Sequence, residues 1–220
     1  MRTVIFDLDG TLAETSGDMV AAANVCLRDF GPGALLDPVT DAATAMRGGR
    51  AMLALGLARA GMRDAAEVDR QYPLFLSHYA AALDVHSRLF PGALPAIEAL
   101  RGAGYRVGVC TNKPEALADR LLTSLGVRDL FASLIGADTL PTRKPDAAPY
   151  LAAVDRAGGR SENSVLVGDT VTDRDTARAA GVPVILVTFG PHGDAVRGMG
   201  AQGLIGGYDA LGAEVRRLIG

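Results

Sequence analysis

Seven polar side chains stand just beyond short apolar runs, where an α/β protein places its chemistry. Asp7 and Asp9 follow Thr3–Phe6, and Thr111 and Asn112 follow Arg106–Cys110. Lys144 lies in the loop region after Ser133–Ile135, and Asp169 and Asp173 follow Ser164–Val167. Ligands of open α/β sheets bind outside the carboxyl ends of the strands, so these residues are expected to converge in one crevice. Four carboxylates packed together repel, and one shared proton relieves only a single pair. A divalent cation resolves the conflict, and oxygen ligands without His or Cys favour Mg²⁺ over zinc. A cation, a lysine and a nucleophilic carboxylate together suit phosphoryl transfer, in which positioning and charge stabilisation dominate.

Each piece alone has a plainer explanation. An Asp after a strand is often a turn or helix cap, and an isolated Lys is usually solvated. Asp7-x-Asp9-Gly10-Thr11 at a strand end is harder to dismiss. So is a Lys-Pro loop in a chain whose only lysines are Lys113 and Lys144. Asp173 could serve only the N-terminal end of its helix.

The elements that must hold these residues are readable from periodicity. Five apolar runs read as buried strands: the four above and Val184–Val187, with a weaker sixth at Gln202–Ile205. Helical patterns separate most of them, at Leu94–Arg101, Pro114–Leu125, Ala147–Ala157 and Thr172–Ala180. Gly104, Gly126, Gly158 and Gly181 read as helix C-terminal caps. The alternation predicts a Rossmann-like, doubly wound parallel sheet. Residues 15–85 break it, with helical character only, punctuated by Gly31-Pro32-Gly33 and Asp37-Pro38. That stretch is too long for a crossover loop. The expected organisation is a core of residues 1–14 and 86–220 with a helical cap subdomain at 15–85. Arg47 and Arg50 flank two glycines in the insertion, as a solvated loop or as a contact for an anionic substrate.

Composition narrows the partners. Apolar residues make up 49% and charged residues 21% of 220 residues, as in a globular domain. A net charge of −3 gives no electrostatic footprint for nucleic acid. No apolar run approaches the roughly 18 residues of a membrane span, and the start, MRTVIFDLDGT, has no signal-peptide core. Cys26 and Cys110 have no metal-type neighbours and are too few for a disulfide scaffold. A cytoplasmic location is expected, as a monomer or homodimer. His78, His86 and His192 have no metal-site spacing. Gly198-x-Gly200-x-x-Gly203 matches a dinucleotide fingerprint in letters only, because it precedes a strand instead of following one.

In order, FDLDGTL (6–12), VCTNKP (109–114), RKPDAAPY (143–150) and LVGDTVTDRDTARAAG (166–181) resemble the four motifs of the haloacid dehalogenase superfamily. GADTLPTRKP (136–145), PGALPAIEALRGAGYRVGVCTNK (91–113) and the insertion resemble its phosphoglycolate phosphatase group. The resemblance implies Asp7 as nucleophile and metal ligand, and Asp9 as general acid, then base, with its carbonyl on the metal. It implies Thr111, helped by Asn112, and Lys144 as ligands of the transferring phosphoryl group. Asp169 would bind Mg²⁺ with support from Asp173, and the insertion would be a cap. Departures from the pattern are slight: Glu14-Thr15 follows Ala13, and Ala147 stands where a second proline is common.

The expected activity is hydrolysis of a small phosphate monoester, phosphoglycolate first, with sugar-phosphate or nucleotide phosphatase as the alternative. Haloacid dehalogenation in this superfamily lacks the acid that Asp9 supplies. Phosphonate cleavage uses a cap lysine, which the insertion lacks, and the mutases use a lysine and histidine absent near the first motif. A binding module without catalysis fits poorly with intact motifs.

Overall fold

Five apolar runs become strands because they can be covered on both faces. A computed structural model describes residues 1–220. In it β1 (Thr3–Phe6), β4 (Arg106–Cys110), β5 (Ser133–Ile135), β6 (Ser164–Gly168), β7 (Val184–Val187) and β8 (Gly203–Ile205) form one parallel sheet. Two-residue strands β2 (Ala13–Glu14) and β3 (Arg88–Leu89) make a separate small sheet. The large sheet runs β5-β4-β1-β6-β7-β8. The chain therefore winds outward from β1 on one side, returns to pair β6 with β1, and winds outward on the other. That reversal beside β1 is the topological switch point, where such sheets open a crevice. Register carries the geometry further: Phe6 pairs with Val109 on one side and Val167 on the other. The residues that follow these three strands therefore emerge at one edge.

The crossovers are α5 (Ala93–Gly102), α6 (Glu115–Ser124), α7 (Ala147–Arg156) and α8 (Val171–Ala180), and the chain ends in α9 (Leu211–Ile219). Asp146 starts α7 by accepting from the Ala148 N–H at 2.8 Å, and Gly181 ends α8 in the left-handed region, φ 69°. Ile5, Cys110, Ile135, Tyr150, Leu166, Val184 and Leu186 lie in one buried cluster. Full burial of each large aliphatic side chain there contributes roughly 1.5–3 kcal/mol. The one hydroxyl that Tyr150 brings inside meets Ser164 Oγ at 2.7 Å.

The chain divides into two compact units, Met1–Ala13 with Leu89–Gly220, and Glu14–Arg88. The second contains α1 (Ser16–Leu27), α2 (Ala42–Ala45), α3 (Gly49–Arg59) and α4 (Ala65–Ala81). Leu27, Met52, Leu53, Leu57, Phe75 and Tyr79 are buried in it. Tyr72, Phe75 and Tyr79 repeat at helical spacing along α4, with successive rings stacked at 6.1 and 5.9 Å. Asp18, in the first turn of α1, is 2% exposed. Its carboxylate accepts from the His86 and Ser87 N–H groups and from the Ser87 hydroxyl, all within 3.0 Å. The beginning of the helical unit is thereby tied to its end.

Candidate active site

The loop after β1 is wound tightly enough to aim a carboxylate. Asp7 keeps the sheet's pattern, donating its N–H to the Val167 carbonyl at 2.8 Å. The Leu8 carbonyl then accepts from the Leu12 and Ala13 N–H groups at 3.0 Å. Gly10 makes that turn possible with φ 79°, which a side chain would oppose. Asp7 Oδ1 accepts from the Leu8 N–H at 2.7 Å, so the carboxylate is anchored by its own loop.

Three more elements bring partners to it. Lys144, its side chain 2% exposed, reaches Asp7 Oδ1 at 3.0 Å and Asp173 Oδ1 at 2.6 Å. Asp173 sits in the first turn of α8, where its Oδ2 accepts from the Thr170 N–H at 3.1 Å and the Thr170 hydroxyl at 2.8 Å. The helix-capping role and the site role of Asp173 thus coexist, one oxygen serving each. Gly168 at the end of β6 leaves the space Asp173 fills, because a Cβ there would collide with the aspartate's carboxyl carbon. Asp169 Oδ1 accepts from the Thr11 hydroxyl at 3.0 Å.

Charge in this network does not balance. One oxygen each from Asp7, Asp169 and Asp173 lie within 4.8 Å of one another, and all three residues are buried. Lys144 is the one ammonium ion-paired within the cluster. Unit charges 4 Å apart interact by about 4 kcal/mol at an effective dielectric of 20. Three mutual repulsions therefore exceed what one lysine offsets. The carboxyls respond accordingly. Burial first, opposed by Lys144 and reinforced by Asp173 and Asp9, pushes Asp7 up to about 6. Asp169 is raised well above the usual carboxylate range by burial, then by Asp173 and Asp7. Burial alone would lower Lys144, but Asp173 and Asp7 outweigh it and raise it, so the ammonium persists.

The buried Asp169 Oδ2 has no hydrogen-bond partner. An orphaned carboxylate oxygen on a residue clustered with two more carboxylates, with no soft donor in the cluster, fits a small hard dication. Cys110, the nearest thiol, is pushed up to about 12 by burial and stays protonated and inert.

The remaining sequence candidates are placed differently from one another. Thr111 is buried at the end of β4, and its hydroxyl accepts from the Lys113 N–H at 3.2 Å. Asn112 donates its amide to the Lys144 carbonyl at 3.0 Å, so it braces the loop that carries the lysine. The Asp9 carboxylate lies outside the three-aspartate cluster and takes a salt bridge from Lys113 at 2.7 Å. Arg47 and Arg50 belong to the helical unit. Arg50 is ion-paired to Asp69 and stacks over the Tyr72 ring at 4.2 Å, while Arg47 is exposed and forms no ion pair.

Lys113, which motif spacing alone does not place at the site, is buried and ion-paired to Asp9. Its signals were present: it is one of two lysines and directly follows Thr111-Asn112 at a strand end. Thr11 likewise stands in the sequence only as part of the Asp7-x-Asp9-Gly10-Thr11 motif, and its hydroxyl bonds Asp169 Oδ1 at 3.0 Å.

Known proteins resemble this chain over nearly all its length. The sequence profile of the haloacid dehalogenase-like hydrolases matches residues 1–209. A phosphoglycolate phosphatase of Rhodospirillum rubrum is 38% identical, with 96% of this chain and 89% of that protein aligned. The enzyme of the same name from Agrobacterium fabrum is 42% identical, covering 84% and 80%. Among solved structures, a predicted phosphoglycolate phosphatase from Haemophilus somnus superposes with a TM-score of 0.85 at 24% identity, over 97% of each chain, a likeness of fold.

Proposed function

The chain belongs to the haloacid dehalogenase-like hydrolases, and from that premise we propose that it is a magnesium-dependent phosphatase whose substrate is phosphoglycolate. The observation that carries this reading is the Asp7 carboxylate, anchored by its own loop and held by Lys144 against two further carboxylates at the switch point of the sheet. Relatives at 38 and 42% identity that bear the name phosphoglycolate phosphatase support the substrate.

The proposed reaction has two displacements at phosphorus. An Asp7 oxygen attacks, the bond from phosphorus to the ester oxygen breaks, and the leaving oxygen takes a proton from Asp9. Water then attacks the phosphoaspartate and gives a proton to Asp9; the bond from phosphorus to Asp7 breaks, releasing inorganic phosphate. Lys144 neutralises phosphoryl oxygens and keeps Asp7 aimed, and the Thr111 hydroxyl, 3% exposed on its residue, adds a donor. Mg²⁺, held by Asp7, Asp169, Asp173 and the Asp9 carbonyl, would supply the missing positive charge. Thr11, Gly168 and Thr170 keep those carboxylates in position without touching the substrate.

The test compares kcat/KM for phosphoglycolate, a hexose phosphate and a nucleoside monophosphate, with Mg²⁺ and with excess chelator. Phosphoglycolate should lead, and chelation should remove activity that added Mg²⁺ restores. A lead of about tenfold for either competitor, roughly 1.4 kcal/mol of transition-state preference, would sink the substrate while leaving the phosphatase. Unchanged rates in chelator would sink the metal.

A further inference from the structure

Lys113 has no part in the two displacements, yet the fold buries it beside them. Its side chain is 3% exposed, and its ammonium donates to both oxygens of Asp9, at 2.7 and 2.9 Å. The backbone fixes it there. Its N–H donates to the Thr111 hydroxyl at 3.2 Å, and its carbonyl accepts from the Ala137 N–H at 3.0 Å. A buried lysine is costly to desolvate and to order, so a fold that keeps one has a use for its charge.

The geometry points to Lys113 as the residue that reads the carboxylate of the leaving group. This rests on the phosphoglycolate reading above. If Asp9 protonates the ester oxygen, it stands within hydrogen-bond reach of that oxygen. In phosphoglycolate a single methylene separates the ester oxygen from the carboxylate. A cation bonded to Asp9 therefore adjoins the position this carboxylate must occupy.

Charge gives the second reason. A substrate carboxylate gives up water to enter a site already crowded by the carboxyls of Asp7, Asp169 and Asp173, and a cation must offset that cost. The Lys113 ammonium has three donors on a single point charge, so it can serve Asp9 and the incoming carboxylate together. An alcohol leaving group without a carboxylate gains nothing from it. Lys113 would thus set the preference for an acidic leaving group from within the strand-end loop that also carries Thr111.

The experiment measures kcat and KM for phosphoglycolate and for ethyl phosphate, its analogue without the carboxylate, in the wild type, Lys113→Met and Lys113→Arg. Both substrates have alkyl leaving groups that need Asp9, so damage to Asp9 lowers both together. A partly unfolded sample also lowers both together, and neither effect moves their ratio. The expected result is a preference for phosphoglycolate that falls about 10- to 100-fold in Lys113→Met, the size of a charge-assisted hydrogen bond, mainly through KM. Lys113→Arg should recover part of that preference. An unchanged ratio in Lys113→Met, whether both rates fall or neither does, overturns the inference and leaves Lys113 a positioning residue for Asp9 at most. A wild type with no preference between the two substrates overturns the phosphoglycolate reading itself, a distinct outcome visible before any variant is made.

Discussion

Both units of the chain set aspartates against basic side chains, and the two sets behave oppositely. In the α/β unit, Asp7, Asp169 and Asp173 crowd around Lys144, whose side chain is 2% exposed. In the helical unit, Arg59 donates to both oxygens of Asp41 at 2.8 and 2.7 Å with its own side chain 38% exposed. The first arrangement has too few cations and too little water, so its carboxyls are pushed up. The second is matched one to one, and the Arg59 fork holds the Asp41 carboxyl below its usual range. A folded protein has no stability reason to keep the first kind, whereas it gains from the second. Unbalanced buried charge marks a place built for something that arrives later, and balanced charge marks structure.

Asp7→Asn breaks the comparison at its strongest point. A neutral amide cannot attack phosphorus, so kcat should fall on the order of a millionfold, as for loss of other enzymic nucleophiles. Stability without metal should move the other way. The Asp7 carboxyl rises from 3.8 to about 6 on folding, so between those values the folded state binds more protons than the unfolded one. Wild-type stability in chelator therefore declines as pH rises through that window. At pH 8 the variant should melt higher than wild type, by up to about 3 kcal/mol of stability, and the gap should close toward pH 4. Calorimetry in chelator at both pH values checks this; a variant that melts lower at pH 8 would show that the cluster is not under electrostatic stress.

Asp41→Asn should carry the opposite sign. Its carboxyl is lowered on folding by Arg59, so its contribution is present above the unfolded value and lost as pH falls through the folded one. The variant should lose about 1 kcal/mol at pH 7, screening by water at the half-exposed Arg59 keeping the figure small. The difference should vanish as pH falls below the ordinary aspartate range. Urea unfolding at neutral and acid pH reads both, and a deficit independent of pH would mean that Asp41 acts through shape and not charge.

The smallest effect belongs to Arg50→Ala. Its pair with Asp69 is 51% and 66% exposed, worth under about 0.5 kcal/mol and erased by salt. With the guanidinium occupied by Asp69 and Tyr72, kcat/KM for phosphoglycolate should change less than about threefold. A rise in KM beyond tenfold would instead give Arg50 the substrate contact that its flanking glycines suggested.

The sheet was legible because parallel strands buried on both faces must be continuous apolar runs. Thr3–Phe6, Arg106–Cys110, Ser133–Ile135 and Val184–Val187 have the bounds that the pattern predicts. Helix ends were legible to within about a residue where a left-handed glycine stops them, as at Gly126 and Gly181. The two-residue strands β2 and β3 were not, since no periodicity can show in two residues. Nor was α9, which the alternation of strands and helices did not demand. In the site, residue types and strand ends sufficed to collect Asp7, Lys144, Asp169 and Asp173. The partition between them was invisible: Asp9 bonded to Lys113, Asn112 to the Lys144 carbonyl, and Thr11 to Asp169 are facts of side-chain direction. Spacing along a chain does not encode which way a side chain turns after the strand ends.

Asp18 has a consequence of another kind. By accepting from His86 and Ser87, it fastens together the two points where the helical unit starts and stops. A polymer loop whose ends are clamped has paid its closure entropy at the clamp, and that cost grows only with the logarithm of the length enclosed. What lies between residues 18 and 86 can then lengthen, shorten or be rebuilt with little thermodynamic penalty to the sheet that carries the chemistry. The clamp makes the helical unit an exchangeable module, one that can be remodelled while the aspartates and lysines of the strand ends stay as they are.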